Sequence, residues 1–303
     1  MIFKPEHSVN QHVNLPNESG VELYVKREDK IHRFVSGNKY RKLKYNLLEA
    51  EKLGFNTLLT FGGAYSNHIA AVASAGRNLG FNTIGIIRGE ELFDKIENNA
   101  TLRFAKQCGM QFKFVSRETY RNKTSESFLK RLKEKFGVFY TIPEGGTNAL
   151  AIKGCEEILT DKDKTFDYVC CAVGTGGTIS GIINSSDTNQ QILGFPALKG
   201  DFLKEDISKF ATKSNWKLIT EYHFGGYAKI NNELISFINS FKKDYEIPLD
   251  PVYTGKMMFG IFDLIEKNYF PKGSKILAIH TGGLQGIEGM NSILKKKNLP
   301  LIA

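Results

Sequence analysis

Short apolar runs alternate along this chain with longer segments whose apolar residues recur every three or four positions. The short runs predict strands at 57–61, 83–87, 111–115, 138–142, 168–173, 191–195, 217–220 and 275–279. The helical spacing predicts helices at 67–79, 98–108, 125–136, 201–210, 231–245, 256–268 and 286–297, with another from the loop at 143–148 up to 159. An earlier helix begins near Lys39, where Tyr40, Leu43, Leu47 and Leu48 share a face and Ser36, Gly37 and Asn38 supply capping chemistry.

Alternation this regular argues for an α/β protein of parallel sheets covered by helices on both faces. A length of 303 residues is enough for two doubly wound units. The run at 168–173 is apolar enough to be buried on both sides. Ligands in such folds gather at the carboxyl ends of strands, so the loops there are the places to search for chemistry.

Composition narrows the function. The net charge of +9 comes from scattered lysines and arginines, the longest run being Lys295-Lys296-Lys297, and not from a basic stripe interleaved with aromatics. That excludes a typical nucleic-acid binder and leaves a solvated surface that attracts small anions. Cys108, Cys155, Cys170 and Cys171 have no zinc-ligand or CxxC spacing and read as reduced core residues of a cytoplasmic protein, with no metal expected. The first ten residues contain no apolar signal core, and no apolar run approaches the ~20 residues of a membrane span.

Lys39 stands in the first turn of its helix, where the positive end of the helix dipole disfavours a cation. Burial, the dipole and the neighbouring Arg41 and Lys42 all favour the neutral amine, which attacks carbonyls. The same lysines and arginine would also serve as the wet face of an amphipathic helix. Gly174-Thr175-Gly176-Gly177-Thr178 follows the buried strand and opens a helix, so its amides converge as a phosphate cradle. Ile179 stands where a dinucleotide fingerprint needs glycine, and no GxxxxGK[ST] occurs. Polar loops at 62–68, 144–148 and 280–283 add amides, hydroxyls and the imidazoles of His68 and His280.

An activated lysine ahead of a phosphate cradle and several polar loops is the equipment expected for pyridoxal 5′-phosphate. The chain resembles the fold type II pyridoxal-phosphate enzymes, and within them the 1-aminocyclopropane-1-carboxylate (ACC) deaminase and D-cysteine desulfhydrase family. The resemblance rests on Val25-Lys26-Arg27-Glu28-Asp29, Gly37-Asn38-Lys39-Tyr40-Arg41-Lys42-Leu43, Phe61-Gly62-Gly63 with Ser66-Asn67-His68, the glycine cradle, Val252-Tyr253-Thr254-Gly255-Lys256 and His280-Thr281-Gly282-Gly283.

The resemblance implies two three-layer αβα domains with the cofactor in the cleft between them. Residues 1–46 with 148–303 would form the larger domain and 47–147 the smaller. It also implies a homodimer acting on a small amino acid, without nucleic-acid or membrane partners. Lys39 would bond the cofactor aldehyde. Lys42 and Gly174, Thr175, Gly176, Gly177 and Thr178 would hold its phosphate, while Asn67, Thr254 and Thr281 would contact its ring side. Ser66, Asn67 and His68 would line the substrate side, and Tyr227 and Tyr253 match the two phenols flanking the substrate.

ACC deaminases resemble Tyr-Glu-Gly-Lys and His-Leu-Gly-Gly where this chain has Thr254 and Thr281, which places it on the desulfhydrase side twice. The expected activity is a pyridoxal-phosphate carbon–sulfur lyase, converting D-cysteine to pyruvate, ammonia and sulfide. ACC deamination, elimination from another D-amino acid, and non-catalytic binding on the same scaffold are the alternatives. Tyr65, where the family commonly has a polar residue, is expected to crowd or reshape the substrate side.

Overall fold

The computed structural model describes residues 4–15, 20–200 and 202–303. The chain opens with β1 (Asn10–Val13) and β2 (Glu22–Lys26), two strands the apolar pattern does not announce because β1 is short, polar and at a sheet edge. There follow α1 (Asn38–Lys52), β3 (Thr57–Gly62), α2 (Asn67–Leu79), β4 (Asn82–Arg88), α3 (Ala100–Gln107), β5 (Gln111–Val115), α4 (Arg117–Arg121), α5 (Glu126–Phe136) and β6 (Tyr140–Ile142). The second half contains α6 (Ala149–Glu156), β7 (Tyr168–Val173), α7 (Gly177–Ser185), β8 (Gln191–Pro196), α8 (Phe202–Ser208), β9 (Trp216–Leu218), α9 (Asn232–Tyr245), α10 (Thr254–Glu266), β10 (Lys275–Ile279) and α11 (Gly286–Lys296). Asp201, the expected start of the helix at α8, lies outside the described residues.

Two sheets result, and the α/β class read from the alternation holds. One runs β1-β2-β10-β7-β8-β9 and is parallel except for β1; the other runs β5-β4-β3-β6 and is parallel throughout. β7 is buried on both faces, since Cys170 joins the core under α9 and α10 while Cys171 joins the core under α7. All four cysteines are unbridged thiols, Cys108 half-buried and the other three buried. The helices after β7 and β10 pack on opposite faces of the large sheet, α7 on one and α11 on the other. The neighbouring carboxyl ends of β7 and β10 therefore open a crevice at the point where the winding reverses.

Capping explains several element boundaries. Ser66 accepts from the Ile69 amide to start α2, and Gly80 ends it in the left-handed region with φ +80°. α10 begins at Thr254, two residues ahead of the expected 256, because Asp250 takes up its first amides. α6 stops at Glu156, short of the expected 159. The expected domain boundary after residue 46 falls inside α1, which is one continuous helix.

α1 is anchored by charge as well as packing. Arg41 donates to Glu28 from Nε at 2.8 Å and Nη2 at 2.7 Å, and both side chains are buried. Glu28 lies just beyond β2, and its carbonyl also accepts from the Gly37 amide at 2.9 Å. Gly37 has φ +55°, and any Cβ there would collide with the Thr281 carbonyl, so only glycine permits this approach. Replacing Glu28 by Gln would leave the buried guanidinium with only the longer 3.6 Å contact to Glu157, an expected loss of about 3 kcal/mol in urea unfolding. Lys44→Ala, which breaks a half-exposed pair with Glu157, should cost less than about 1 kcal/mol in the same assay.

Candidate active site

The carboxyl ends of β3, β4, β7 and β10 enclose a cavity of about 500 Å³ between the two sheets. Lys39 enters it from the first turn of α1. Burial, and then the charge of Lys42 one turn on, push the Lys39 ammonium down to about 7 from its ordinary 10.5, against a smaller opposing pull from Asp250. A substantial fraction of this amine is therefore neutral at pH 7, unlike an exposed lysine.

Lys42 is buried at the inner end, where Nζ donates to the Gly145 carbonyl at 3.1 Å, Thr147 Oγ1 at 3.0 Å and Thr175 Oγ1 at 3.4 Å. Its partners there are neutral, and burial lowers its pKa. Beside it, Gly176 turns the chain with φ +78° into α7, whose N-terminus faces the cavity; Asn38 Nδ2 orients the Thr178 hydroxyl at 2.8 Å. A Cβ on Gly177 would stand 2.7 Å from Thr147 Oγ1 and 3.0 Å from Lys42 Nζ, and one on Gly174 would stand 3.1 Å from the Tyr253 ring. The glycines thus leave a cradle of amides, hydroxyls and one ammonium that fits a phosphate.

The loop after β3 forms the opposite wall. Because Ser66 Oγ already accepts from the Ile69 amide at 3.3 Å, its hydroxyl proton is free to donate into the cavity. The Asn67 amide is wedged against Gly283 and Gly286, with Nδ2 2.9 Å from the position of a Cβ on Gly283. His68 is 2 % exposed, and its Nε2 lies 2.8 Å from Thr60 Oγ1, whose proton goes to the Ile142 carbonyl. Nε2 therefore carries the hydrogen, and among the described residues Nδ1 is a buried atom with no hydrogen-bond partner. Burial with the charges of Lys39 and Lys42 holds His68 well below its usual range, so it is neutral. Tyr65 sits at the rim, half-exposed and packed over Gly289 of α11, so it narrows the mouth instead of crowding the floor.

Tyr227 and Tyr253 meet edge to face, ring centroids 6.2 Å apart. Burial, and then the neighbouring phenol, raise Tyr253 well above the ordinary range, which keeps it protonated as a donor.

Of the residues assigned from sequence, Lys39, Lys42, Ser66, Asn67, His68, Gly174, Thr175, Gly176, Thr178, Tyr227, Tyr253 and Thr281 line the one cavity. Gly177 lies behind it, against Lys42. Thr254 departs from expectation: it is fully buried, its hydroxyl donates to Asp250 Oδ1 at 2.8 Å and accepts from the Asp250 amide at 2.9 Å. Its proton is spent on capping α10, so of the two threonines expected at the ring side only Thr281 lines the cavity. Sequence reasoning gave no site role to Asn38, Thr147, Arg88 or Asp250, although Asn38 stands inside the motif that begins at Gly37; Arg88 and Asp250 belong to no motif. Thr147 sits in a loop already notable for its glycines, and that was its one signal.

A phosphate cradle, a partly neutral lysine amine and a half-enclosed polar cavity define a pyridoxal-phosphate site. The chain matches the family described as pyridoxal-phosphate dependent enzymes over residues 9–282, and it belongs to that family. Within it, this protein falls among the ACC deaminase and D-cysteine desulfhydrase homologues. It is 34% identical over 304 residues to the mitochondrial bifunctional D-cysteine desulfhydrase/1-aminocyclopropane-1-carboxylate deaminase of Arabidopsis thaliana, covering 90% of this chain and 75% of that one. It is 27% identical over 324 residues to a 1-aminocyclopropane-1-carboxylate deaminase of Rhizobium rhizogenes, covering 95% of each. A solved structure titled as an ACC deaminase homologue superposes with a TM-score of 0.78 at 29% identity, over 95% of this chain and 94% of the other. Pyridoxal 5′-phosphate is the cofactor of this family, and the donor set just described fits it.

The pKa of Lys39 gives a test with a defined sign. The neutral amine is the nucleophile, so the rate at which apoprotein takes up pyridoxal phosphate should rise as pH climbs through about 7 and level off above it. Lys39→Ala should bind without forming the reducible lysine adduct, as followed by absorbance and borohydride trapping.

Proposed function

We propose that the protein is a lyase that eliminates the β-substituent of a small amino acid, with D-cysteine as substrate and pyruvate, ammonia and sulfide as products. Pyridoxal phosphate, when bound, supplies an aldehyde that captures the substrate amine and a ring that accepts electrons from Cα. The protein's residues do the rest. Ser66 and Asn67, at the start of α2, are placed to hold the substrate carboxylate against the helix N-terminus. The Lys39 amine would take the α-proton as general base. Tyr253, held protonated, and Tyr227 flank the substrate from the other wall and manage protons at the departing group.

The observation that carries this reading is the absence, among the described residues, of a free carboxylate lining the cavity. Glu91 is paired with Arg117 and Glu144 with Lys123, while Asp250 is buried behind Thr254 with all its acceptor sites used. The hydroxyl of Thr281 is then the polar group offered to the ring, and a hydroxyl tolerates an unprotonated pyridine nitrogen where a carboxylate would protonate it. A restrained electron sink suits loss of a β-thiolate better than opening of a cyclopropane. ACC deamination is the second reading, favoured by the names of most relatives. The reading also includes a homodimer in the cytoplasm.

The decisive measurement is release of pyruvate and ammonia from D-cysteine, L-cysteine and ACC by the holoenzyme. D-Cysteine should exceed ACC in kcat/KM by about tenfold or more; equal turnover would transfer the assignment to the deaminase reading.

A further inference from the structure

The cavity wall holds one cation that the chemistry above leaves unused. Lys39 and Lys42 serve the aldehyde and the phosphate, and Arg117 is paired with Glu91 at 3.2 Å. Glu144 is taken by Lys123 at 3.1 Å. Arg88 also lines the cavity, and among the described residues it has no carboxylate partner; its guanidinium rests 5.7 Å from the centroid of the Tyr120 ring.

Strand register puts Arg88 where it is. β3 and β4 are parallel with Gly62 opposite Ile87, so the next pair outward is Gly63 and Arg88. Arg88 Nη2 accordingly lies 3.7 Å from the position of a Cβ on Gly63, at the start of the loop that presents Ser66 and Asn67. Its positive charge offsets a little of the upward push that burial gives the Tyr227 phenol. The guanidinium lines the same cavity as the Ser66–Asn67 loop and the two phenols. An amino acid held at its carboxylate by Ser66 and at its amine near Lys39 has its β-substituent as the remaining group to meet Arg88.

We propose that Arg88 is a specificity residue that selects amino acids whose β-substituent is anionic, in the free substrate or as it departs; this rests on the amino-acid lyase reading above. In the D-cysteine reaction the α-proton passes to Lys39 and the Cβ–S electron pair goes to sulfur, which leaves as hydrosulfide. One water converts the remainder to pyruvate and ammonia. Arg88 faces the sulfur as its negative charge builds, through a charge-assisted hydrogen bond. Ring opening of ACC releases no anion, so Arg88 contributes nothing to that reaction and biases the site against it.

The test uses holoenzyme titrated with aspartate and with asparagine, both enantiomers of each, followed by the change in cofactor absorbance. The two amino acids differ in charge at the same β-position. Wild type should bind aspartate about tenfold or more tightly than asparagine. In Arg88→Met, which keeps an aliphatic contact with Tyr120, the ratio should fall to near one, and Arg88→Lys should retain most of it. In parallel, Arg88→Met should lose about tenfold in kcat/KM on D-cysteine. A wild-type ratio near one, or a ratio that survives in Arg88→Met, overturns the role of Arg88 and leaves the lyase reading intact. Equal weakening of aspartate and asparagine in Arg88→Met also overturns it, by assigning Arg88 to the α-carboxylate. No spectral response to any amino acid, D-cysteine included, sinks the lyase reading itself.

Discussion

The buried pair of Glu28 and Arg41 is the constraint on which the site depends. It fastens the first turn of α1 to the end of β2, and β2 is hydrogen-bonded to β10, whose following loop carries Thr281. The close approach of Gly37 to the Thr281 carbonyl adds a second, steric tie at the same place. A long flexible lysine on a frayed helix end would sample many positions. Here the helix start is fixed from two sides, so Lys39 spends less entropy in reaching a defined place.

Fixing that helix start also sets the electrostatics. Lys39 and Lys42 share one face of one helix and open on the same cavity, so the charge of Lys42 disfavours a second one on Lys39. A phosphate beside Lys42 would relieve the strain there, while Lys39 is relieved by losing its proton. Asp250 lies close enough to temper the effect on Lys39, yet its carboxylate is consumed by three amides and the Thr254 hydroxyl. The result is a cavity whose inner end attracts an anion and whose reactive amine is partly neutral without any neighbouring base.

The cavity needs both sheets. The glycine turn follows β7, the loop of Ser66 and Asn67 follows β3, and Thr281 follows β10. Tyr65 on the β3 loop packs over Gly289 of α11, and Arg103 of α3 reaches Glu288 of α11 at 2.9 Å, so the rim is built from the two halves together. Arg88, at the end of β4, and Tyr227, in the segment after β9, line the same cavity.

The amino-acid sequence by itself determined the alternation of strands and helices, the buried strand before the glycine turn, and the lysine in a first turn. Each is a local pattern, set by side-chain period or by capping chemistry within a few residues. Motifs long enough to be distinctive carried the cofactor as well. The role of Thr254 is local too, since Asp250 stands four residues earlier and takes its proton as the turn closes, but that cap cannot be told from an open hydroxyl until the turn is seen. The tertiary structure alone decided the place of Arg88, since strand register sets that guanidinium beside Gly63 although 25 residues separate them in the chain. Such pairings depend on which strands lie side by side, and a single strand's pattern does not encode its neighbour.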